Sequence, residues 1–244
     1  MSNGAVPTVK ICGLQSVEVL KSILHLPIAH IGFVFAKSKR QVTPEQAGSM
    51  IRALQAGRKE GSTSPLSVGV FVNPTEDELE RTFADAPLDV VQLHGEESPD
   101  FCRWVKQRFQ VQVFKAVSLQ RPSGLSAEDP ISPSREQVAE QLNGYLGAVD
   151  AVLLDTYDPL YGGGSGKTFT WSIIPVYLEW AREAGIKLLV AGGLEPDNVG
   201  SLIAQYAPDG VDVSSGVETE GRKDIAKITS FVERVTQSGA SAGS

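Results

Sequence analysis

Val9-Lys10-Ile11-Cys12-Gly13-Leu14 opens the chain's first regular unit, and after Ser16 the spacing Val17, Leu20, Leu24 lays out one apolar helix face. A short β-rich run therefore feeds a helix. Seven further runs repeat the device: Ile31 to Phe35, Ser67 to Val72, Val90 to Leu93, Val111 to Val117, Ala151 to Leu154, Leu188 to Ala191 and Val211 to Ser214. Helical stretches lie between them. Thr43-Pro44-Glu45-Gln46, Thr75 to Glu78 and Ser134 to Gln137 each set a capping hydroxyl three residues before Glu or Gln. Ile174, Tyr177, Leu178 and Ala181 repeat the helical spacing.

Strands that are apolar at nearly every position must be covered on both faces, and alternation with helices makes the sheet parallel. Eight such units predict a single closed (β/α)₈ barrel of the α/β class, which leaves no exposed edge. A doubly wound open sheet is the competing architecture. It would usually carry a glycine-rich dinucleotide turn after its first strand, where this chain has Cys12-Gly13-Leu14. The barrel is expected over residues 1–236, with Gly57 to Pro65 and Gln120 to Pro133 as loop insertions. Residues 237–244, almost all Ser, Gly and Ala, are expected to form a disordered tail.

At 244 residues, 41% hydrophobic and 21% charged, the chain has the composition of a globular domain with a full core. Its net charge of −7 offers no basic field for nucleic acid or an anionic membrane surface. Neither a long apolar run nor a signal-peptide pattern is visible, so a cytoplasmic location is expected. Cys12 and Cys102 are too few for a disulfide framework or a four-ligand zinc site, and reduced thiols are expected.

In a parallel barrel, chemistry collects at the C-terminal ends of the strands. Polar residues that close apolar runs are therefore the candidates: Lys10 and Cys12, Gln92 and His94, Asp155, Gly192 and Gly193, and Asp212 with Ser214, Ser215 and Gly216. Residues two apart share a face. If Lys10, Cys12, Gln92, His94, Leu153, Asp155, Asp212 and Ser214 point inward, Ile11, Leu93, Leu154 and Val213 must point at the helices. Closure of strand eight on strand one would lay Asp212 beside Lys10 as an ion pair, either a positioning device or a substrate contact.

Cys12 reads as a thiolate base, its pKa lowered by Lys10, or as a small buried hydrophobe. Cys102, within an amphipathic helix, reads as the hydrophobe. Asp155 closes an apolar strand, where a carboxylate is either structurally paired or kept protonated for an acid role. His94 is a second polar group there, or a satisfied core histidine. Gly162 to Thr168 lacks the glycine a nucleotide-binding P-loop needs, because Tyr161 stands in its place, so it reads as a loop near the mouth. Gly192-Gly193 and Ser214-Ser215-Gly216 fit a phosphate site, where small residues let backbone N–H groups approach the anion. That points to a phosphorylated small molecule and leaves the reaction open.

Lys10-Ile11-Cys12-Gly13-Leu14, Gly32-Phe33-Val34-Phe35 with Ser38-Lys39-Arg40, Gly69 to Asn73, Val91 to Gly95, Leu153 to Thr156, Gly163 to Gly166, Ala191 to Leu194 with Pro196 and Asn198, and Asp212 to Glu218 occur in this order. Together they resemble the phosphoribosylanthranilate isomerase family, a tryptophan-biosynthesis barrel, from Val9 to about Val235. The resemblance implies Cys12 as general base, Asp155 as general acid and Arg40 as partner of the anthranilate carboxylate. Lys10, Gln92, His94 and Asp212 would line the substrate. Gly192, Gly193, Ser214, Ser215 and Gly216 would hold its phosphate. It implies an Amadori rearrangement of N-(5-phosphoribosyl)anthranilate without metal or cofactor, and other tryptophan-pathway enzymes as the protein neighbours.

Two sister barrels are the nearest alternatives. The histidine-pathway isomerase resembles a barrel with Asp where Cys12 stands, and indole-glycerol-phosphate synthase needs a Lys where strand three ends in Phe71-Val72-Asn73. A ligand-binding module that has lost catalysis is the third reading; intact Cys12 and Asp155 speak against it.

Overall fold

The computed structural model describes residues 6–56, 64–118, 133–155 and 171–242. Eight parallel strands close into a barrel in chain order. They are β1 (Thr8–Cys12), β2 (His30–Val34), β3 (Leu66–Phe71), β4 (Val90–Leu93), β5 (Gln112–Ser118), β6 (Ala151–Asp155), β7 (Lys187–Ala191) and β8 (Gly210–Val213). Closure is made by β8 on β1, in a register that sets Lys10 opposite Asp212. The outer ring is α1 (Val17–Ile23), α2 (Pro44–Ala56), α3 (Glu76–Asp85), α4 (Pro99–Phe109), α5 (Arg135–Leu142), α6 (Ile174–Ala184), α7 (Val199–Tyr206) and α8 (Ile225–Ala242).

The expected caps are formed. Thr75 and Ser134 each accept from the backbone three residues on, while Glu78 and Gln137 return the bond to the cap N–H. Thr43 and Gln46 do the same ahead of α2. Each reciprocal pair satisfies two amides that a helix start leaves unbonded.

Alternation along the strands splits the buried residues into two layers. Cys12, Val68, Val70, Val90, Phe114, Ala116, Ala151, Leu153, Leu189 and Ala191 pack inside the barrel. Ile11, Leu93, Leu154 and Val213 pack outward with the helices, as the strand parity requires. Burying each of these larger aliphatic chains is worth about 1.5–3 kcal/mol, so the outer layer holds the ring of helices to the barrel. Cys102 belongs to that outer layer, far from the chemistry expected at the rim.

The C-terminal expectation is corrected. Gln237 to Ala242 continue α8, and a Cβ on Gly239 would stand 2.9 Å from Val6 Cα, so the small residues let the helix end press on the segment that leads into β1. Their lack of apolar periodicity hid this contact. The two loop insertions lie almost wholly outside the described residues, and the Gly162 to Thr168 segment entirely so. No helix among the described residues is long and apolar enough to cross a membrane.

Candidate active site

Lys10 and Cys12 face inward from β1, and the neighbouring strand leaves room for them at Gly32. A Cβ there would lie 2.9 Å from Cys12 Sγ and 3.2 Å from Lys10 Nζ. Lys10 Nζ donates to Asp212 Oδ1 at 3.1 Å, with Lys10 fully buried. The expected ion pair is therefore present at the strand closure. Burial works against the Lys10 charge, yet Asp212 and then Cys12 hold its pKa above the ordinary value.

Cys12 corrects one sequence expectation. Burial is the largest influence and pushes the thiol pKa up; Lys10 pulls it down, Asp212 pushes it up again, and Lys223 pulls it down. The outcome is a raised pKa, not the lowered one that Lys10 alone would give. Sequence shows which charges are near but not how much water is lost. Both cysteines are free thiols, and burial drives Cys102 up to about 11.

Asp155 ends β6 at the same rim, about a quarter exposed, with Oδ2 3.3 Å from His94 Nε2. Gln92 Nε2 lies 3.0 Å from His94 Nδ1. With that amide orientation the Gln92 N–H donates and Nδ1 accepts, which leaves the ring proton on Nε2, directed at the carboxylate. Gln92, His94 and Asp155 thus form one connected line across the mouth. Among the described residues, Gln92 Oε1 and His30 Nδ1 are buried without a hydrogen-bond partner.

The chain after β4 is braced from outside the barrel. Lys115 Nζ donates to Glu97 Oε2 at 3.0 Å and to the Gly95 carbonyl at 2.6 Å, and Glu97 Oε1 accepts from the Asn73 and Gly95 amides. This network holds the turn that carries His94. It also engages the Asn73 amide, in the turn that follows β3.

Gly192 and Gly193 both have positive φ, at 93° and 64°, so the chain after β7 takes a path that other residues resist. Asn198 Nδ2 donates to the Gly193 carbonyl at 2.9 Å and fixes that turn. After β8, Ser214 Oγ donates to the Cys12 carbonyl at 3.1 Å, tying the last strand to the first. Ser215–Val217 form a short 3₁₀ turn, and a Cβ on Gly216 would collide with the Leu194 carbonyl, so the two expected phosphate loops lie against each other.

Arg40 lies beside Gly13, where an added Cβ would stand 2.6 Å from its Cδ. Its guanidinium is held by Glu218, Nε to Oε1 at 2.6 Å and Nη2 to Oε2 at 2.9 Å. Glu218 belongs to a hairpin that sequence reading missed, β9 (Glu218–Thr219) and β10 (Arg222–Lys223). Glu220 and Gly221 turn it, both at positive φ as a type I′ turn requires, and this sets Glu218 opposite Lys223. Lys223 Nζ donates to Glu218 Oε1 at 2.8 Å and to the Ser214 carbonyl at 2.8 Å. Burial favours a neutral Glu218, but hydrogen bonds from Arg40 and Lys223 outweigh it and bring its pKa down to about 2. The Glu220-Gly221 pair was the available signal for this hairpin. Among the described residues, no group of three or more His, Cys, Asp or Glu is placed to hold a metal ion.

Fold and site together define a class: a parallel (β/α)₈-barrel enzyme whose polar groups gather at the C-terminal mouth. The sequence profile described as N-(5'phosphoribosyl)anthranilate (PRA) isomerase matches residues 9–234. N-(5'-phosphoribosyl)anthranilate isomerase of Brevibacillus brevis is 44% identical over 226 residues, 93% of this chain and 92% of that one. The crystal structure of phosphoribosyl anthranilate isomerase from Thermotoga maritima superposes with a TM-score of 0.73 at 36% identity, covering 95% of this chain and 99% of the other. A second such structure, in complex with reduced 1-(o-carboxyphenylamino)-1-deoxyribulose 5-phosphate, gives 0.70 at 32% identity over 95% and 99%. The chain belongs to the N-(5'-phosphoribosyl)anthranilate isomerase family.

Proposed function

We propose that this barrel converts N-(5'-phosphoribosyl)anthranilate to 1-(2-carboxyphenylamino)-1-deoxyribulose 5-phosphate with Cys12 as general base and Asp155 as general acid. The activity is the isomerase step of tryptophan biosynthesis that names the family. The assignment of roles rests above all on one observation: strand parity brings Cys12 and the His94-paired Asp155 to the same rim of one closed barrel.

Asp155 gives its proton to the ribose ring oxygen as the bond from that oxygen to C1′ breaks, and the anthranilate nitrogen closes a C=N bond to C1′. Cys12, as thiolate, then takes the proton from C2′, and the electron pair moves through C1′ to the nitrogen. The resulting enolamine takes up a proton at C1′ as its 2′-hydroxyl gives one up, and so becomes the ketone. C1′ is reduced as C2′ is oxidised, so the electrons balance within the substrate. Removing either proton-transfer group costs about 10²–10⁴ in rate.

Arg40 suits the ring carboxylate, because its planar guanidinium offers paired N–H donors. The turns at Gly192-Gly193 and Ser214-Ser215-Gly216 suit the phosphate. Lys10 and Asp212 hold charge balance beneath Cys12, while Gln92 and His94 orient Asp155. A cytoplasmic place, and other tryptophan-pathway enzymes as neighbours, belong to the same reading and follow from its role.

The test is a coupled assay in which the substrate is generated in situ and the loss of its fluorescence is followed. Wild type should turn over, while Cys12→Ser and Asp155→Asn, still folded, should fall by at least about two orders of magnitude. An inert wild type that still binds phosphorylated ligands would favour the binding module instead.

A further inference from the structure

Arg40 is the one cation assigned to the ring carboxylate, yet its guanidinium already holds a carboxylate of the chain itself. The two acceptors of Glu218 take the Nε edge: one bond from Nε at 2.6 Å and one from Nη2 at 2.9 Å. A guanidinium has five N–H bonds, and a carboxylate bound side-on uses two. Nη1 and the second Nη2 hydrogen form another edge, and among the described residues no acceptor engages Nη1.

Three constraints converge on this side chain. Gly13, at φ +81°, has no Cβ where the Arg40 Cδ lies, which lets the arginine stem pass directly over the end of β1 next to Cys12. Glu218 is itself fixed by Lys223, and Lys223 by the Ser214 carbonyl at the end of β8. Lys39 Nζ stands a further 3.7 Å from Glu218 Oε2. Arg40 comes from the loop after β2, whereas Glu218 and Lys223 come from the hairpin after β8, so the linkage spans β1 and ties two rim loops together.

We propose that Glu218 is a positioning residue for substrate recognition: it takes one edge of the Arg40 fork and thereby presents the other edge to the anthranilate carboxylate. The proposal rests on the reading of Arg40 as the carboxylate's partner. Glu218 makes no contact with substrate in this arrangement. It removes rotamer freedom that Arg40 would otherwise lose on binding, and it keeps the cluster of Arg40, Lys39 and Lys223 from repelling itself open.

The experiment measures binding of two probes by calorimetry: the reduced carboxyphenylamino-deoxyribulose 5-phosphate, and its phenylamino counterpart without the ring carboxylate. The ratio of their Kd values isolates what the carboxylate contributes. Arg40→Met should collapse that ratio towards one. Glu218→Gln and Glu218→Ala should cut it at least about tenfold, while the Kd of the phenylamino probe stays within about twofold of wild type.

A full ratio retained in both Glu218 variants, with collapse in Arg40→Met, overturns the positioning role and leaves the Arg40 reading intact. A ratio that rises on removing Glu218 also overturns it, because Glu218 would then compete with substrate for the arginine. Equal weakening of both probes reduces Glu218 to general support of the loop. An unchanged ratio in Arg40→Met removes the premise itself, which separates failure of the reading from failure of the proposal.

Discussion

His94 Nε2 lies 3.3 Å from Asp155 Oδ2, and the two residues come from strands that are not neighbours in the barrel. The contact bridges the mouth over β5 and makes the orientation of the acid depend on a residue two strands away. His94→Leu should therefore lower kcat by about tenfold, roughly the worth of one hydrogen bond that orients the acid. Affinity for a product analogue should hold within about twofold. Steady-state kinetics and calorimetry on one preparation check this, and an unchanged kcat sinks it.

The Lys10 to Asp212 pair is sealed in the barrel. Lys10→Met or Asp212→Leu alone should destabilise the fold by about 3–5 kcal/mol, since each leaves a buried charge without its counterpart. The double variant should recover most of that loss. Urea unfolding of the four proteins measures the coupling, and additive losses would show that the two residues do not act as a pair.

Cys12 has a raised pKa, so its base form is scarce at neutral pH. Alkylation of Cys12 by iodoacetamide should speed up about tenfold per pH unit from neutrality, and that rise should end above the ordinary thiol value of about 8.5. A plateau already reached below pH 7 would contradict this. Iodoacetamide should modify Cys12 ahead of Cys102, which is fully buried and driven up to about 11. Peptide mapping after partial inactivation reads the order.

His30, buried against Phe114 with ring centroids 5.4 Å apart, has its pKa lowered to about 4 by burial and then by Lys10 and Lys187. The unfolded chain takes up this proton near pH 6.5 and the folded chain only near 4. The unfolded state therefore binds more protons between these values, and stability falls as pH drops through the window. From pH 7 to pH 5 the loss should be about 1–2 kcal/mol, and His30→Gln should abolish it. Chemical denaturation at the two pH values decides, and equal losses in both proteins would rule His30 out. Glu218, held down to about 2, adds a second loss at lower pH, from its unfolded value of about 4.3 downwards.

Much of this was legible in the chain. Apolar runs that end in Cys12, His94, Asp155 or Ser214 reveal strands, and period two reveals which residues share a face. The Lys10 to Asp212 pair follows from those facts plus closure of the last strand on the first. His94 on Asp155 does not follow, because it needs the distance across a mouth that no neighbour relation fixes. Arg40 on Glu218 was hidden by a hairpin of two-residue strands, whose only mark is Glu220-Gly221. The direction of the Cys12 shift was misread because sequence names the charges without weighing the water lost.

The two-layer division of each strand has a consequence for how such a gene can change. Along β1, Lys10 and Cys12 spell the chemistry, while Val9 and Ile11 spell the adhesion of the helices. Two messages are interleaved letter by letter in one short word. A substitution edits one message and leaves the other readable, so activity can drift while the scaffold stands still. Deleting a single codon inside a strand exchanges them, turning Ile11 into the mouth and Cys12 into the wall, and both messages are lost at once.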